Sequence, residues 1–339
     1  MNPELIDVLS RLGVCDLDNR NAWARLLLVN NHGHVPNAAG PFAKGFKLLV
    51  LDGGRRPSWF ARCSWADAES IRREVEVLRS IEKSSAAAAV PECHFFSTPR
   101  ISVLLTRYVG SGTYQMRIHD LSPAEWRRNV EDILLTTEAL MASVANDSPL
   151  ARQRANESAR CSDIVRTLDA LRMAGVPTPT IQMLETILSQ SLGLPYVLQH
   201  GDLWPANVIY SPKKLWLIDF AECGLIWQPA FDLLHMLCSG PDTANKPWFA
   251  CTSSLTPCGW TNARLASVQW YSRRMSLTER EMGIALVCYL AHLAARRLVP
   301  GAPRTFVNPL LTELKRVCAF LSREGTIAEI FRPAALLPA

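Results

Sequence analysis

The chain has 339 residues, of which 48% are hydrophobic, and it carries a formal net charge of +5. That length and apolar fraction suffice for a large core and for two lobes, while the positive charge is spread along the chain without the basic block that nucleic-acid binding requires. The longest apolar run, 282–295, is too short to span a bilayer, so neither nucleic acid nor a membrane is an expected partner.

The first third of the chain alternates short β-prone runs with one amphipathic helix. A helix is expected over 1–20, a polar loop over 30–37, and a second helix over 66–83, where apolar residues recur on one face. The predicted strands are 25–29, 46–52, 58–64, 94–97 and 101–108. A crossing rich in Gly and Ser follows at about 106–112.

The chain beyond this crossing is predicted to be mostly helical. Capping boxes of the form Ser-x-x-Glu begin helices at 122 and at 276. The predicted helices are 122–146, 151–173, 180–192, 231–238, 276–298 and 308–323. Three short strands, 195–199, 207–210 and 215–218, interrupt them, and a long polar loop over 240–259, continuing to about 275, is expected to contact a substrate.

Three polar residues with related chemistry lie at the ends of these short strands. The run His-Gly-Asp-Leu-Trp-Pro-Ala-Asn contains Asp202 and Asn207, and Leu-Trp-Leu-Ile-Asp-Phe contains Asp219. Phosphoryl transfer needs one carboxylate to orient or deprotonate a hydroxyl, and an amide oxygen and a second carboxylate to hold Mg²⁺. The alternative is a solvated hairpin whose polar residues merely end strands, and the three residues together favour the functional interpretation.

This pattern resembles the catalytic segment of the aminoglycoside phosphotransferase/choline kinase-like family of small-molecule kinases. The tryptophan after His-Gly-Asp-Leu, Trp204, also resembles the fructosamine kinase branch. The matching segment covers about 198–236. The resemblance implies an α+β, bilobal, protein-kinase-like fold. In such a fold 1–108 form an N-terminal antiparallel sheet lobe with one helix, and 109–339 form a larger, mainly helical C-terminal lobe.

The resemblance also implies ATP and Mg²⁺ as cofactors and assigns roles in the catalytic segment. Asp202 is expected to be the catalytic base or hydroxyl-orienting residue, and Asn207 and Asp219 are expected to be the metal ligands. His200 belongs to the same catalytic loop and is expected to support it by hydrogen bonds. Asp232 is expected to cap the next helix and to brace that loop.

The nucleotide side departs from the family pattern. Such kinases carry a Lys on the third strand that pairs with a Glu of the following helix, whereas this chain has Arg62 there, with Glu74 as the natural partner. Arg is longer, planar and forked, so it is not equivalent to Lys. Lys44 and Lys47, on or near the preceding strand, are alternative phosphate ligands.

The predicted function is an ATP- and Mg²⁺-dependent phosphotransferase acting on a hydroxyl of a sugar, ketosamine, amino alcohol or antibiotic. Thr106 and Tyr108, at the crossing, are expected to receive the adenine through backbone groups. The alternative is a nucleotide-binding pseudokinase or regulatory protein, which Arg62 and the single glycine in 30–37 both favour.

Localisation is predicted from the cysteines and the N-terminus. The ten cysteines are scattered, without Cys-x-x-Cys or zinc spacing, and the first residues lack the basic start and apolar run of a signal peptide. These features predict a cytoplasmic protein with reduced thiols. The sequence leaves the acceptor and the oligomeric state open.

Overall fold

The computed structural model describes residues 26–29, 45–51, 56–64, 68–83, 89–99, 101–110, 114, 118–147, 157–211, 214–226, 228–238, 259–297 and 304–323. The predicted helix over 1–20, the loop over 30–37, Lys44 and most of the loop that begins at 240 lie outside these residues. By their contacts the residues form two compact units. The first combines Met1–Gly112 with Ile209–Glu222, and the second combines Thr113–Val208 with Cys223–Ala339.

The first unit contains a five-stranded antiparallel sheet. Its strands are β1 (Leu26–Val29), β2 (Gly45–Leu51), β3 (Pro57–Ser64), β4 (Cys93–Ser97) and β5 (Ser102–Arg107). Their order across the sheet is β1-β2-β3-β5-β4, with every neighbouring pair antiparallel. All five strands lie within two residues of their predicted bounds.

One face of this sheet is apolar. Seven buried residues form its core, namely Leu48, Val50, Ala61, Cys63, Ile101, Val103 and Leu105. Side chains alternate between the two faces of a strand, so Lys47 on β2 and Arg62 on β3 lie on the face opposite this core. The alternation therefore places two cationic side chains together on the second face of the sheet.

A helix, α1 (Ala68–Glu82), follows β3 and contacts β5. Its buried face contains Ile71, Val75 and Leu78, spaced by three and four residues as predicted. Glu74 lies on the same face and is 4% exposed, so this helix directs one carboxylate into the interior. The strands β6 (Val208–Ser211) and β7 (Lys214–Leu217) form a separate two-stranded sheet.

The second unit is mainly helical. Its α-helices are α2 (Pro123–Asp147), α3 (Glu157–Met173), α4 (Thr178–Gln190), α5 (Phe231–Leu237), α6 (Gly259–Arg274), α7 (Glu279–Arg297) and α8 (Arg304–Leu321). Helix α7 is central, because it contacts α3, α4, α5 and α8. The predicted α+β class, with an antiparallel sheet and one helix followed by a mainly helical remainder, is confirmed. No helix in the described part of the chain has the length and apolar character needed to cross a membrane.

Three local predictions were wrong. Residues 195–199 form no strand, and the chain over 259–274, predicted as loop, forms α6. The second capping box lies two residues beyond its predicted place: the amide of Thr278 donates to Glu281 Oε2 at 2.7 Å, and the amide of Glu281 donates to Thr278 Oγ1 at 3.2 Å. The box at Ser122 and Glu125 is present as predicted.

Candidate active site

The loop that carries His200, Gly201 and Asp202 is held by a buried carboxylate of the second unit. Asp232 is 3% exposed and accepts hydrogen bonds from the amides of His200 (2.7 Å) and Gly201 (2.9 Å). Gly201 has a φ of 83°, a left-handed conformation that favours glycine. Burial raises the pKa of Asp232 to about 7, although the amide hydrogen bonds oppose this rise. The predicted bracing contact is therefore present. The prediction that Asp232 caps the helix is wrong, because Ala230 is the N-cap of α5 and Asp232 lies within the helix.

Two residues that sequence reasoning missed hold Asp232 and its helix in turn. The amide of Asp232 donates to Gln199 Oε1 at 2.9 Å. Ala230 has a φ of 63°, and its amide donates to the hydroxyl of Tyr271 at 3.0 Å. These bonds join the loop to the start of α5 and to α6. No local motif signals them, because the partners lie more than thirty residues apart in the chain.

The carboxylate of Asp202 is oriented on both of its oxygens. Asn207 Nδ2 donates to Asp202 Oδ2 at 3.0 Å and to the Asp202 carbonyl at 2.8 Å. His235 Nε2 lies 3.4 Å from Asp202 Oδ1. Burial raises the pKa of Asp202, but the hydrogen bond and charge of His235 and the charges of His200 and Arg296 outweigh it, so the net shift is downward. Asp202 is therefore an ionised hydrogen-bond acceptor at neutral pH.

His235 is the most informative residue that the sequence analysis missed. Its ring stacks on Phe231 at a centroid separation of 6.1 Å, and its Nδ1 lies 3.1 Å from the hydroxyl of Tyr289 on α7. His235 follows Asp232 by three residues on one helix, and residues at i and i+3 share a face. This spacing could have predicted that His235 lies near the loop that Asp232 holds. The predicted catalytic-loop residue His200 is fully buried, and its Nδ1 accepts from the amide of Asp202 at 3.4 Å.

The nucleotide-side residues of the first unit form an ion cluster. Arg62 Nη1 lies 2.8 Å from Glu74 Oε2, so the expected pairing between β3 and α1 is present. The same nitrogen lies 3.5 Å from Asp219 Oδ1, and Lys47 Nζ lies 3.9 Å from Asp219 Oδ2. Burial raises the pKa of Glu74 and the nearby charge of Asp219 adds to this, while Arg62, the Phe220 amide and Lys47 oppose it.

The segment after β7 is attached to α1 at two points. The amide of Phe220 donates to Glu74 Oε1 at 3.1 Å, and Arg73 Nη1 donates to the carbonyl of Ala221 at 3.0 Å. Asp219 itself has a φ of 63°. A left-handed non-glycine residue is strained by about 1 kcal/mol or more, and such strain persists where the surrounding contacts enforce it, often at functional sites. Glu74 thus fixes both the cation beside Asp219 and the backbone that follows it.

The two predicted adenine-contact residues lie at the end of β5. The hydroxyl of Thr106 donates to the carbonyl of Phe60 at 3.4 Å, and the amide of Tyr108 donates to the carbonyl of Ser58 at 2.9 Å. Tyr108 is 40% exposed. Because its amide is engaged within the sheet, an adenine contact here would use carbonyl groups or the residues that follow. The roles of Thr106 and Tyr108 stay predictions.

The predicted metal ligands supply oxygen atoms, which suit Mg²⁺. The Asn207 amide donates to Asp202 through its nitrogen, which leaves its Oδ1 as an acceptor, and Asp219 contributes a carboxylate. Within the described residues, no group of three His, Cys, Asp or Glu side chains is placed to hold a metal ion. Mg²⁺ commonly takes one or two oxygen ligands from a protein and completes its shell with waters and substrate phosphates, and the oxygen chemistry of each residue is compatible with this. The roles of Asn207 and Asp219 as metal ligands stay predictions.

Several solved structures share this fold at low sequence identity. The gentamicin complex of APH(2")-IIa is 15% identical, with a TM-score of 0.54 and coverage of 98% of this chain and 99% of that one. The ethanolamine kinase of Plasmodium vivax is 14% identical (TM-score 0.56, coverage 94% and 87%). The macrolide 2'-phosphotransferase of Brachybacterium faecium is 17% identical (TM-score 0.52, coverage 91% and 98%). At these identities the likeness establishes the fold.

A family comparison gives the assignment. No curated protein matches the sequence. The model of the phosphotransferase enzyme family, abbreviated APH, matches residues 46–250, more than half of the 339 residues. The matched region contains Lys47, Arg62 and Glu74 as well as the segment from His200 to Asp232. The chain therefore belongs to the phosphotransferase enzyme family.

Proposed function

We propose that this protein is an ATP- and Mg²⁺-dependent phosphotransferase that transfers the γ-phosphoryl group to a hydroxyl of a small molecule. The observation that carries the proposal is the carboxylate of Asp202. It is oriented by Asn207 and by His235, on a loop whose amides Asp232 holds. A carboxylate held in this way is suited to orient a hydroxyl for attack.

The proposed reaction assigns each group a task. The acceptor oxygen forms a bond to the γ-phosphorus, the bond from that phosphorus to the β–γ bridging oxygen breaks, and ADP leaves. Asp202 accepts the hydrogen bond of the acceptor hydroxyl and then its proton, which passes to solvent. Asn207 and Asp219 would hold Mg²⁺, which neutralises charge on the phosphates when it is bound. In this proposal 1–108 form the nucleotide-binding lobe and 109–339 the catalytic lobe.

The charge near Asp202 favours an acceptor that is not a polycation. Arg296 of α7 lies close enough to Asp202 to lower the pKa of that carboxyl. A permanently cationic side chain near the base disfavours a polycationic acceptor. Gentamicin, a macrolide and ethanolamine stand in the names of the structural relatives, and for this chain we propose a neutral or weakly charged polyol such as a sugar.

The test is ATP turnover with Mg²⁺ against a panel of sugars, ketosamines, amino alcohols, aminoglycosides and macrolides. We expect phosphorylation of a sugar or ketosamine, and we expect Asp202→Ala to lower kcat by about 100-fold or more, because general base and orienting residues contribute at that level. Asp163→Ala, which changes an exposed pair with Arg166, is the control. Binding of ATP without phosphorylation of any acceptor would instead support the pseudokinase alternative.

A further inference from the structure

The pairing of β2 with β3 places two cations side by side. Lys47 and Arg62 are direct partners in the antiparallel register, and both lie on the face opposite the apolar core of the sheet. Like charges at directly opposite positions destabilise a sheet. Two carboxylates, Glu74 and Asp219, offset this repulsion. The cluster therefore contains two cations where the family pattern requires one.

The two cations are held very differently. Arg62 Nη1 lies between two carboxylates, 2.8 Å from Glu74 Oε2 and 3.5 Å from Asp219 Oδ1. The side chain of Glu74 is 5% exposed, so moving Arg62 away would leave a buried carboxylate without its cation, which is strongly destabilising. Arg62 is therefore held in its ion pairs with Glu74 and Asp219 and is not available to bind a ligand.

Lys47 is held weakly by comparison. Its Nζ lies 3.9 Å from Asp219 Oδ2, beyond hydrogen-bond distance, and 5.9 Å from the centre of the Phe60 ring. Its side chain is 32% exposed, and an ion pair of this length and exposure contributes little. A lysine ammonium has three donors on an unbranched stem, so it can turn toward an incoming anion at small cost.

We infer that Lys47 is the side chain that binds the α- or β-phosphate of the nucleotide, and that Arg62 is a positioning residue that holds Glu74 and Asp219. This inference rests on the proposed phosphotransferase function. In the family pattern one cation on the third strand has both tasks, and here the two tasks are divided between residues on two strands. Arg62 keeps the ion pair with α1, and Lys47 on β2 supplies the phosphate contact. Asp219 keeps Arg62 as a neighbour when Lys47 turns to the phosphates.

The test measures binding rather than turnover. ATP, with and without Mg²⁺, and adenosine are titrated calorimetrically into the wild-type protein and into Lys47→Met, Lys47→Arg and Lys83→Met. We expect Lys47→Met to weaken ATP binding by about tenfold or more, the size of a lost charge-assisted hydrogen bond, and to leave adenosine binding within about twofold. Lys47→Arg should recover most of the affinity. Lys83, an exposed lysine just beyond α1, is the matched control and should behave as wild type.

Arg62 variants separate the two roles. Arg62→Met should lower the melting temperature, because it leaves Glu74 buried without its cation, and Arg62→Lys should restore part of that loss. The inference is wrong if Lys47→Met binds ATP as wild type does while Arg62→Lys loses ATP affinity at an unchanged melting temperature. If the wild-type protein itself binds no ATP, the proposed function fails and the inference fails with it. Circular dichroism spectra are to be recorded for each variant to check that it is folded.

Discussion

Each carboxylate oxygen of Asp202 lies close to a different side chain of the protein, and one of these side chains is His235. Asn207 holds Oδ2 and His235 holds Oδ1, so the direction of the remaining lone pairs depends on both side chains. His235 is itself held by Tyr289 and by stacking on Phe231. We regard His235 as a positioning residue for the base.

We expect His235→Ala to lower kcat by about 10- to 100-fold with little change in KM for ATP, because misplacement of a catalytic group by about 1 Å has an effect of that size. His235→Gln should recover part of the loss, since its side-chain amide can donate to Asp202. Steady-state kinetics with ATP and the acceptor as varied substrates measure the effects on kcat and on KM separately. Equal loss in the Ala and Gln variants would show that the hydrogen bond to Asp202 is not what matters.

The residues of the site differ in how well the sequence predicts them. Asp202, Asn207 and Asp219 lie within one short segment, where fixed spacing and residue type carry the signal. Gln199 and Tyr271 contribute through bonds to Asp232 and Ala230, 33 and 41 residues away in the chain, so no local pattern contains them. Contacts between distant positions depend on helix packing, which a single sequence leaves open.

At the scale of elements, the helix beginnings are held by short local motifs. Thr278 and Glu281 form a reciprocal capping box at the start of α7, the central helix of the second unit. We expect Thr278→Ala to lower the free energy of unfolding by about 1 kcal/mol, the usual effect of losing an N-cap hydroxyl. Chemical denaturation measures the change.

Thr312→Ala is the control for this cap. Thr312 lies within α8, is exposed, and bonds back to the carbonyl of Asn308, so its loss should be near neutral. The cap also has a pH signature. Hydrogen bonds from the Thr278 amide and hydroxyl lower the pKa of Glu281, so its stabilisation is present above the unfolded pKa and is lost as pH falls through the folded one. An equal effect of Thr278→Ala and Thr312→Ala at neutral pH would contradict the capping role.

The elements that the sequence mispredicts have identifiable causes. Helix α6 buries Arg264 and Ser267 on the same face as Val268 and Tyr271, so its buried face does not appear as an apolar stripe. Arg264 lies inside because its Nε donates to the carbonyl of Leu237 at 3.1 Å. Residues 195–199 have strand-like composition but form no strand, and the Gln199 amide donates instead to the carbonyl of Ile226. In both cases a specific polar contact overrides the pattern.

At the scale of the whole molecule, ligand binding should appear as stability. A ligand that binds only the folded state raises the free energy of unfolding by RT ln(1 + [L]/Kd), about 2.7 kcal/mol when the free ligand concentration is a hundred times Kd. We expect MgATP to raise the melting temperature of the wild-type protein more than ATP with a chelator does. In Asp219→Ala, and in Asn207→Ala, that Mg²⁺-dependent part should vanish. Differential scanning fluorimetry measures it.

The Mg²⁺-free shift serves as the internal control, because it reports nucleotide binding that does not need the metal. If Asp219→Ala keeps the full Mg²⁺-dependent shift, the metal assignment is wrong. Arg79→Ala, which alters an exposed residue of α1, should leave both shifts unchanged.

The architecture of the described residues was predictable because the order of their elements is distinctive. Short β-prone runs, one helix with apolar residues on one face and then a series of long helices appear in that order in the sequence. The membership of the segment after Val208 in the first unit was not predictable in this way. It follows from contacts such as those of Phe220 and Ala221 with α1, which join positions about 150 residues apart.

That segment affects how the chain is made. The polypeptide enters the second unit at Thr113, returns to the first at Ile209 and leaves it again at Cys223. During synthesis from the N-terminus, Glu74 already has Arg62 as a partner, but its Oε1 lacks the Phe220 amide and Arg73 lacks the Ala221 carbonyl until residues 220 and 221 have left the ribosome, after much of the second unit has already emerged. A fragment ending at residue 112 would contain the cations Lys47 and Arg62 and the carboxylate of Glu74. It would lack Asp219, the second carboxylate of the cluster. Neither unit can therefore be completed, or excised, as one continuous piece of chain.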